Sequence, residues 1–356
     1  MSENYKYDYV VFIGRFEPFH IGHQEVVQRA LEIAERVIIL VGSSNQPRTI
    51  KNPWTFGNRK EMIESVFPEE TSITTELRLP RSRISILPLR DFRSDNNIWA
   101  AQVQEIVEAD VNKTFPWSDY PRKGALIGHE KDSSSFYLRM FPQWELVDHM
   151  MNEVVHATDI RKLYFESNIR YLSSIVPEGV YKYLQEFKEK KEFKVLEEEW
   201  EFIKAYKKSW AGAPYEPTFL TCDAVVVQSG CILLIERKAA PGKGLWALPG
   251  GFVNPKERIQ DAMLRELREE TKIKVPAPVL KGSIVNSKVF DDPERSLRGR
   301  TITHAYLIEL PPGPLPAVKG SDDAKKAKWV PISKIKEEEM FEDHMNIIQS
   351  FIGRLG

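Results

Sequence analysis

Cysteine is scarce in this sequence, and neither sign of charge is in excess. Only two cysteines occur in 356 residues, Cys222 and Cys231, which argues against a disulfide framework or a cysteine-rich metal site. The formal net charge is -1, whereas nonspecific binders of nucleic acid or anionic membranes usually carry a basic excess. We therefore expect no nucleic-acid partner and no membrane partner, while small nucleotides stay compatible with the charge.

Long uninterrupted apolar runs are also missing. A membrane-spanning helix needs about 20 predominantly apolar residues, and no stretch of the chain approaches that length. The first residues are polar and lack the basic and then apolar layout of a signal peptide. These absences predict a cytoplasmic protein.

Length and composition predict two domains. A chain of 356 residues exceeds what a single hydrophobic core usually organises. Residues 181–208 are rich in Lys and Glu, and Pro214 and Pro217 follow them. We predict a first domain at residues 1–183, a charged helical linker at 184–215 and a second domain at 216–356. Association into a homo-oligomer is left open.

The first half has the pattern of an open α/β sheet. Residues 9–13 and 37–41 are apolar, largely β-branched runs that suit strands buried on both faces, and residues 24–36 between them have helical spacing. This is a βαβ unit with a right-handed crossover. Further strand candidates are residues 84–89, 125–128 and 144–147. The pattern predicts a parallel, Rossmann-like sheet.

The second half mixes strands with few helices. Residues 223–228 and 231–235 flank Ser229-Gly230 and predict a β-hairpin. A helix is predicted at residues 258–270 and a further strand at 302–310. We expect an α/β domain with a mixed sheet.

The first strand is followed by Gly14-Arg15-Phe16-Glu17-Pro18-Phe19-His20-Ile21-Gly22-His23. Ligands bind at this edge of open α/β sheets, and a helix N-terminus offers amide donors to phosphate. Gly14 lets the backbone come close to a nucleotide, and His20 and His23 project from one side of the first helical turn. A histidine pair alone is more often a chance pair or half of a metal site, but no third ligand stands nearby.

This segment resembles the nucleotidyltransferase pattern Gly-x-Phe-x-x-x-His-x-Gly-His at all of its fixed positions. Residues 156–161, His-Ala-Thr-Asp-Ile-Arg, resemble the second phosphate motif of the same superfamily. We expect Thr158 to cap a helix that starts at Asp159. The resemblance implies that His20 and His23 stabilise the α- and β-phosphate oxygens of ATP and that Arg161 stabilises the leaving pyrophosphate.

The flanking sequence resembles archaeal-type nicotinamide mononucleotide adenylyltransferases. The resemblance rests on residues 14–18, 42–44, 52–56 with Arg59, and 128–132. It implies that ATP, carrying Mg²⁺, and nicotinamide mononucleotide give NAD and pyrophosphate. Further substrate contacts are expected from Gly14, Arg15, Phe16, Asp132 and Thr158. Trp54 either stacks on the nicotinamide or anchors its loop.

A second motif follows Gly251 and has the spacing Gly-x5-Glu257-x7-Arg265-Glu266-Leu267-x-Glu269-Glu270. It resembles the Nudix box, in which Lys272 replaces the usual glycine. A lysine at that helix end has to adopt a left-handed conformation, at a cost of about 1 kcal/mol, without removing a ligand. The resemblance implies a Nudix α/β/α sandwich.

The positions of the glutamates support a metal independently of the family. On a helical wheel, Glu266 and Glu270 fall within the apolar stripe of the helix, where two carboxylates repel each other and lose water. A divalent cation resolves this conflict, and oxygen ligands suit Mg²⁺ or Mn²⁺. With the resemblance, the expected ligands are Glu266, Glu270 and the Gly250 carbonyl, and Glu269 is a third carboxylate ligand or the catalytic base. Arg265 is expected to orient Glu269.

The basic run that contains Arg295, Arg298 and Arg300 resembles the substrate region of ADP-ribose pyrophosphatases. It implies hydrolysis of ADP-ribose to AMP and ribose 5-phosphate, although a basic loop is often merely solvated. Two alternatives stay open. The Nudix half acts on another dinucleotide, or it senses ADP-ribose without cleaving it.

Overall fold

A computed structural model of the chain describes residues 5–68, 82–92, 96–116, 121–128, 137–149 and 155–353. The chain divides into two compact units, Met1–Lys194 and Val195–Gly356. The predicted limits of the linker, 184 and 215, stay a prediction. No helix in the described residues is long and apolar enough to cross a membrane.

The first unit contains a five-stranded parallel sheet in the order β3-β2-β1-β4-β5. Its strands are β1 (Tyr7–Gly14), β2 (Ala34–Val41), β3 (Ile84–Pro88), β4 (Gly124–Gly128) and β5 (Glu145–Asp148). The central strand β1 is buried along almost its whole length, as its apolar run predicts. The predicted Rossmann-like sheet is confirmed.

The helices of the first unit follow the strands. They are α1 (Ile21–Ile33), α2 (Phe56–Val66), α3 (Asn96–Thr114), α4 (Ala157–Phe165) and α5 (Glu178–Lys188), with a 3₁₀ helix at Ile169–Ser174. Helix α1 begins and ends three residues earlier than predicted. Its N-terminus therefore falls inside the histidine motif rather than after it.

The second unit contains a seven-stranded mixed sheet in the order β10-β11-β6-β7-β12, with β8 paired to β7 and β9 to β6. The strands are β6 (Phe219–Gln228), β7 (Cys231–Arg237), β8 (Trp246–Ala247), β9 (Gly250–Phe252), β10 (Ile284–Phe290), β11 (Thr301–Glu309) and β12 (Ala324–Pro331). Strands β6 and β11 are parallel, and the other pairs are antiparallel.

Helices cover both faces of this sheet. They are α7 (Ile259–Thr271), α8 (Ala277–Gly282) and α9 (His344–Ile352), with 3₁₀ helices at Ile332–Lys334 and Glu337–Glu339; helix α6 (Lys191–Ser209) precedes the sheet in sequence. Alternate residues of a strand face opposite sides. Ala224 packs in the cluster with Leu267 of α7, whereas Val225 packs with Ile347 of α9. The predicted α/β/α sandwich is confirmed.

Candidate active sites

The first unit has a cavity of about 320 Å³ at the carboxyl edge of its sheet. Strand β1 ends there at Gly14, and helix α1 begins there at Ile21. The cavity is lined by Gly14, Arg15, Phe16, Glu17, His20, His23, Tyr137, His149, His156, Arg161 and neighbouring apolar residues. The structure thus brings the two predicted phosphate motifs, far apart in sequence, to one cavity.

The two motif histidines stack on each other at the N-terminus of α1. Their ring centroids are 3.6 Å apart with the planes 27° from parallel. His20 is the N-cap residue, and its backbone N–H donates to Nδ1 of His23 at 3.3 Å. His23 therefore holds the backbone that carries His20, and both rings border the cavity beside the amides of a helix N-terminus, which attract phosphate.

Gly14 and Phe16 have a packing role that the motif alone does not reveal. A Cβ on Gly14 would lie 2.8 Å from Cζ of Phe16, so the glycine makes room for that ring. Phe16 has a φ of 55° and is almost fully buried. Its ring contacts His23 edge-on, with centroids 4.9 Å apart. Gly14 and Phe16 therefore help to position His23.

Arg161 is held in place by the loop that carries Glu17. Its Nη1 donates to the Glu17 carbonyl at 2.8 Å, and its Nη2 donates to Oγ1 of Thr158 at 3.1 Å. Burial, together with repulsion from Arg15, lowers the pKa of Arg161 to about 10. Two cationic side chains thus share the cavity, as phosphate binding requires.

The predicted cap at Thr158 is wrong. Helix α4 begins at Ala157, and its N-cap is His156. The backbone N–H groups of Asp159 and Ile160 both donate to the His156 carbonyl, at 2.9 and 3.2 Å. Thr158 therefore lies within the first turn, where its hydroxyl accepts from Arg161.

The sequence left two roles open for Trp54, and the structure fits the role of a loop anchor. It is 1% exposed, and its ring packs against Tyr164 and Phe187, with centroids 5.6 and 6.2 Å away. Its backbone N–H donates to Oε2 of Glu17 at 3.2 Å. Asp132 lies outside the described residues.

Arg59 is one of the flanking residues that resemble the family, and it forms hydrogen bonds to two loops at this edge of the sheet. Its Nη1 donates to the carbonyls of Arg15 and Gly42, both at 2.7 Å, and its Nη2 donates to the Ser43 carbonyl at 3.1 Å. Its Nε lies 3.2 Å from Oε1 of Glu17, and both side chains are 1% exposed. Burial raises the pKa of Glu17, while Arg59 opposes that shift.

We expect Arg59→Ala to destabilise the first unit strongly, because it leaves the Glu17 carboxylate buried without its cation. Removing one partner of a buried ion pair lowers the free energy of unfolding by about 3–5 kcal/mol. For a unit of this size, that corresponds to a decrease in Tm of roughly 10 °C. Differential scanning calorimetry measures the change. Glu17→Gln in the same background should recover part of the loss. Lys60→Ala, whose partner Glu64 is exposed, is the matched control, and an equal Tm for both single variants would contradict the assignment.

In the second unit, two glutamates of helix α7 lie against strand β9, at Gly250 and Gly251. Oε2 of Glu270 accepts the Gly250 N–H at 2.9 Å. A Cβ on Gly251 would lie 2.6 Å from Oε1 of Glu266, so only glycine leaves space for that carboxylate. Burial, together with the negative charge of Glu266, raises the pKa of Glu270 to about 8, although the Gly250 hydrogen bond opposes this shift.

Arg265 gathers the remaining acidic residues of the motif. Its guanidinium donates to Glu257 at 2.9 Å, to Glu266 at 2.8 Å and to Glu269 at 3.0 Å. This is the orienting contact expected for Glu269, whose side chain is 43% exposed. Lys272 adopts the left-handed conformation expected of it, with φ 48°.

Two carboxylates of this motif, Glu266 and Glu270, are hard oxygen donors that fit a divalent cation. Across the parts of the chain that the structure describes, no three His, Cys, Asp or Glu side chains converge as a metal site. Glu266 and Glu270, however, both lie against strand β9 and are largely shielded from water, and burial raises the pKa of each. Hard oxygen donors of this kind, with a backbone carbonyl, suit Mg²⁺ or Mn²⁺.

A cavity of about 220 Å³ adjoins Glu270. Of the three predicted arginines, Arg295 and Arg298 line it. Arg295 is 4% exposed and forms a two-pronged ion pair with Asp343 at 3.0 and 2.8 Å, so its charge is already matched. Arg300 instead donates to the Asp291 carbonyl.

Other residues of this cavity were not anticipated from the sequence. Arg237 lines it, and its pKa is lowered by burial and by repulsion from Arg298, which makes these two a cationic pair. Nδ1 of His344 accepts the Leu248 N–H at 2.9 Å. Asp223 accepts from Thr303 at 2.6 Å. In the sequence, the only indication that Asp223 has a special role is that it is a charged residue inside the apolar run of β6.

Comparison with known proteins gives a family for each half of the chain. Residues 11–163 match the cytidylyltransferase-like family, and residues 218–351 match the NUDIX domain family. A nicotinamide/nicotinic acid mononucleotide adenylyltransferase of Acinetobacter baylyi is 36% identical over 197 residues, 55% of this chain and 95% of that protein. An ADP-ribose pyrophosphatase of Methanocaldococcus jannaschii is 34% identical over 130 residues, 36% of this chain and 70% of that protein.

A solved structure matches nearly the whole chain. It is a bifunctional NMN adenylyltransferase/ADP ribose pyrophosphatase of Francisella tularensis, complexed with AMP and a Mn ion. The identity is 35%, the TM-score is 0.83, and the match covers 97% of this chain and 98% of that one. Both resemblances drawn from the motifs are thereby confirmed, and the chain belongs to the family of bifunctional nicotinamide mononucleotide adenylyltransferases fused to a Nudix ADP-ribose pyrophosphatase.

Proposed function

We propose that this chain makes NAD from ATP and nicotinamide mononucleotide in its first unit and hydrolyses ADP-ribose in its second. The observation that carries the proposal is the pair of separate cavities. One joins His20 and His23 with Arg161, and the other joins Glu270 with Arg237 and Arg298. The first set suits transfer of an adenylyl group, and the second suits cleavage of a diphosphate.

In the first cavity, a phosphate oxygen of nicotinamide mononucleotide attacks the α-phosphorus of ATP in line. The bond from the α-phosphorus to the bridging oxygen breaks, and pyrophosphate leaves with Mg²⁺. The protein contributes position and charge, since no covalent intermediate is needed. His20, His23 and the N-terminus of α1 stabilise the α- and β-phosphate oxygens, while Arg15 and Arg161 stabilise the leaving group.

In the second cavity, Glu266, Glu270 and the Gly250 carbonyl would hold Mg²⁺ or Mn²⁺. Such a cation neutralises phosphate charge and makes bound water more acidic. Water adds to one phosphorus of ADP-ribose, the bond to the bridging oxygen breaks, and AMP and ribose 5-phosphate form. Arg237 and Arg298 bind the diphosphate. Glu269, held by Arg265, is a third carboxylate for metal binding or for proton transfer.

Product analysis of the wild-type protein tests both halves. ATP, Mg²⁺ and nicotinamide mononucleotide should give NAD and pyrophosphate, and ADP-ribose with Mg²⁺ should give AMP and ribose 5-phosphate. Absence of NAD would refute the first half. Tight binding of ADP-ribose without cleavage would instead establish the sensor alternative, and cleavage of other dinucleotides in preference would replace ADP-ribose as the substrate.

We expect Mg²⁺ affinity at the second site to rise with pH. The pKa of Glu270 is raised to about 8 without metal, so the carboxyl is protonated below that pH and must lose its proton to bind a cation. Because one proton is released, the affinity should rise about ninefold from pH 6 to 7 and about fivefold from pH 7 to 8. Calorimetric titration at three pH values measures it. An affinity that is constant over this interval would contradict the assignment of Glu270 as a ligand.

A further inference from the structure

The segment that leads into helix α9 contacts the arginine loop of the Nudix cavity through two successive acidic side chains. Asp343 forms the two-pronged ion pair with Arg295, at 3.0 and 2.8 Å. One residue earlier, Oε1 of Glu342 accepts from the Ser296 hydroxyl at 2.9 Å and from the Leu297 N–H at 3.4 Å. Asp343 matches the charge of Arg295, whereas these two donors to Glu342 are uncharged. Glu342 therefore brings a negative charge of its own to this loop.

Glu342 adopts a backbone conformation that residues with a side chain rarely take. Its φ is 44°, in the left-handed region, which costs such a residue about 1–2 kcal/mol. Its neighbours hold it there, because the Phe341 N–H donates to the Trp246 carbonyl at 2.8 Å and Asp343 is paired with Arg295. Strain of this kind is concentrated at functional sites. The conformation thus points to a role of the Glu342 side chain in the cavity.

Glu342 lines the cavity together with Arg237 and Arg298. Burial lowers the pKa of Arg237, as does repulsion from Arg298, and the negative charge of Glu342 opposes both effects. Burial raises the pKa of Glu342 in turn, and the positive charge of Arg298 opposes that shift. The two arginines that are proposed to bind the diphosphate therefore share the cavity with a carboxylate that acts on both of them.

Positive and negative side chains balance in this cavity. Among the described residues that line it, four are cationic and four are acidic: Arg237, Lys238, Arg295, Arg298, Asp223, Glu270, Asp323 and Glu342. The cavity thus has no surplus of positive charge, and the charge of a bound diphosphate is matched by the divalent cation. A terminal phosphate monoester carries about one further negative charge at neutral pH, because its second pKa is about 6. That charge is repelled by the carboxylate of Glu342.

We propose that Glu342 is a charge-selectivity residue of the Nudix cavity, whose carboxylate disfavours ligands that end in a phosphate monoester. The cavity then favours diphosphates that are substituted at both ends, such as ADP-ribose, over nucleoside di- and triphosphates. This inference rests on the proposed hydrolase function of the second unit. Specificity of this kind comes from repulsion of the wrong ligand as well as from contacts to the right one.

The test compares full-length wild type, Glu342→Gln and Glu342→Asp at one free Mg²⁺ concentration. It measures KM for ADP-ribose and the inhibition constant Ki of ADP as a competitor of ADP-ribose hydrolysis. In Glu342→Gln, an amide oxygen still accepts from Ser296, so the loop contact is kept while the charge is removed. The ratio of Ki to KM should fall about fivefold, the effect of one unit charge at about 10 Å in a partly solvated site. Glu342→Asp keeps the charge and should retain most of the wild-type ratio.

Two further variants separate charge from structure. Ser296→Ala removes the hydroxyl that donates to Glu342 but leaves the carboxylate, so it should keep the wild-type ratio. Glu339→Gln is the matched control, because it removes one negative charge from a nearby side chain that is 49% exposed and pairs with Lys336. It should leave Ki and KM unchanged. In all four variants, kcat for ADP-ribose should change by less than about twofold, because the proposed effect is on binding.

The proposal is overturned if Glu342→Gln leaves the ratio unchanged, since the carboxylate then does not select on charge. An equal change in Ser296→Ala and Glu342→Gln also overturns it, because the side chain then only holds the loop. If the wild type binds ADP-ribose without cleaving it, the hydrolase function fails, and calorimetric displacement of ADP-ribose by ADP gives the same ratio from Kd values. Neither cleavage nor binding of ADP-ribose would overturn the proposed function and the selectivity together.

Discussion

Replacing His20 by alanine should lower kcat for NAD formation about 10²–10³-fold. That is the range observed when one preorganised donor to a developing oxyanion is removed. His20 lies at the N-terminus of α1, stacked on His23 and bordering the cavity. Its ring stabilises charge that grows as the α-phosphorus is attacked, so kcat should fall much more than KM rises.

The measurement is steady-state production of NAD with both substrates varied. Hydrolysis of ADP-ribose by the same preparation serves as the control, because His20 belongs to the other unit. His23→Ala gives a second comparison, since it removes both an imidazole and the acceptor for the His20 N–H. A His20→Ala enzyme with wild-type kcat would show that this ring only supports the fold.

Glu270→Gln should reduce hydrolysis of ADP-ribose by about 10³-fold. The amide oxygen still accepts the Gly250 N–H, so the contact with strand β9 is preserved, but the site loses one of its two carboxylates. A metal ion supplies several kcal/mol of charge stabilisation, and a loss of about 4 kcal/mol corresponds to a factor of about 10³. Mg²⁺ affinity should fall together with activity.

Glu269→Gln is the matched control for this variant, because it changes the next residue of the same helix. Its side chain is 43% exposed and pairs with Arg265. We expect a smaller loss of activity and nearly normal Mg²⁺ affinity. If Glu269→Gln lost more metal affinity than Glu270→Gln, the ligand assignment would have to be exchanged.

The features that the sequence predicted correctly depend on short spacings. The strand of residues 9–13, the following glycine and the histidines three residues apart fix one local unit. The helix of Glu266 and Glu270 is equally local, and its apolar stripe shows that both carboxylates point inward. Glu266 and Glu270, one helical turn apart, are therefore the strongest indication of a hydrolase in the sequence.

The features that the sequence did not predict depend on contacts between distant residues. Arg295 is predicted as a substrate contact, and its ion pair with Asp343, 48 residues later, cannot be read from the sequence. Arg59 reaches the carbonyl of Arg15 across 44 residues. Lys and Glu dominate the composition of helix α6, so the sequence predicts a charged helical linker. In the structure, Tyr206 of this helix packs on Phe219 of β6, with ring centroids 5.7 Å apart.

The N-terminus of helix α4 also differs from the prediction made from the sequence. Threonine is a preferred N-cap residue and histidine is not, so the sequence predicts a helix start two residues later than the structure has it. The structure instead uses the Thr158 hydroxyl to hold Arg161. The preference of threonine for the N-cap is overridden here, since its hydroxyl pairs with Arg161 three residues later in the same helix.

The central claim is that one chain carries two separate active sites with different chemistry. It is tested most directly by assaying NAD formation and ADP-ribose hydrolysis side by side for wild type, His20→Ala and Glu270→Gln. The account predicts that His20→Ala loses only NAD formation and Glu270→Gln loses only hydrolysis. Loss of both activities in either variant, with the fold intact by calorimetry, would contradict it.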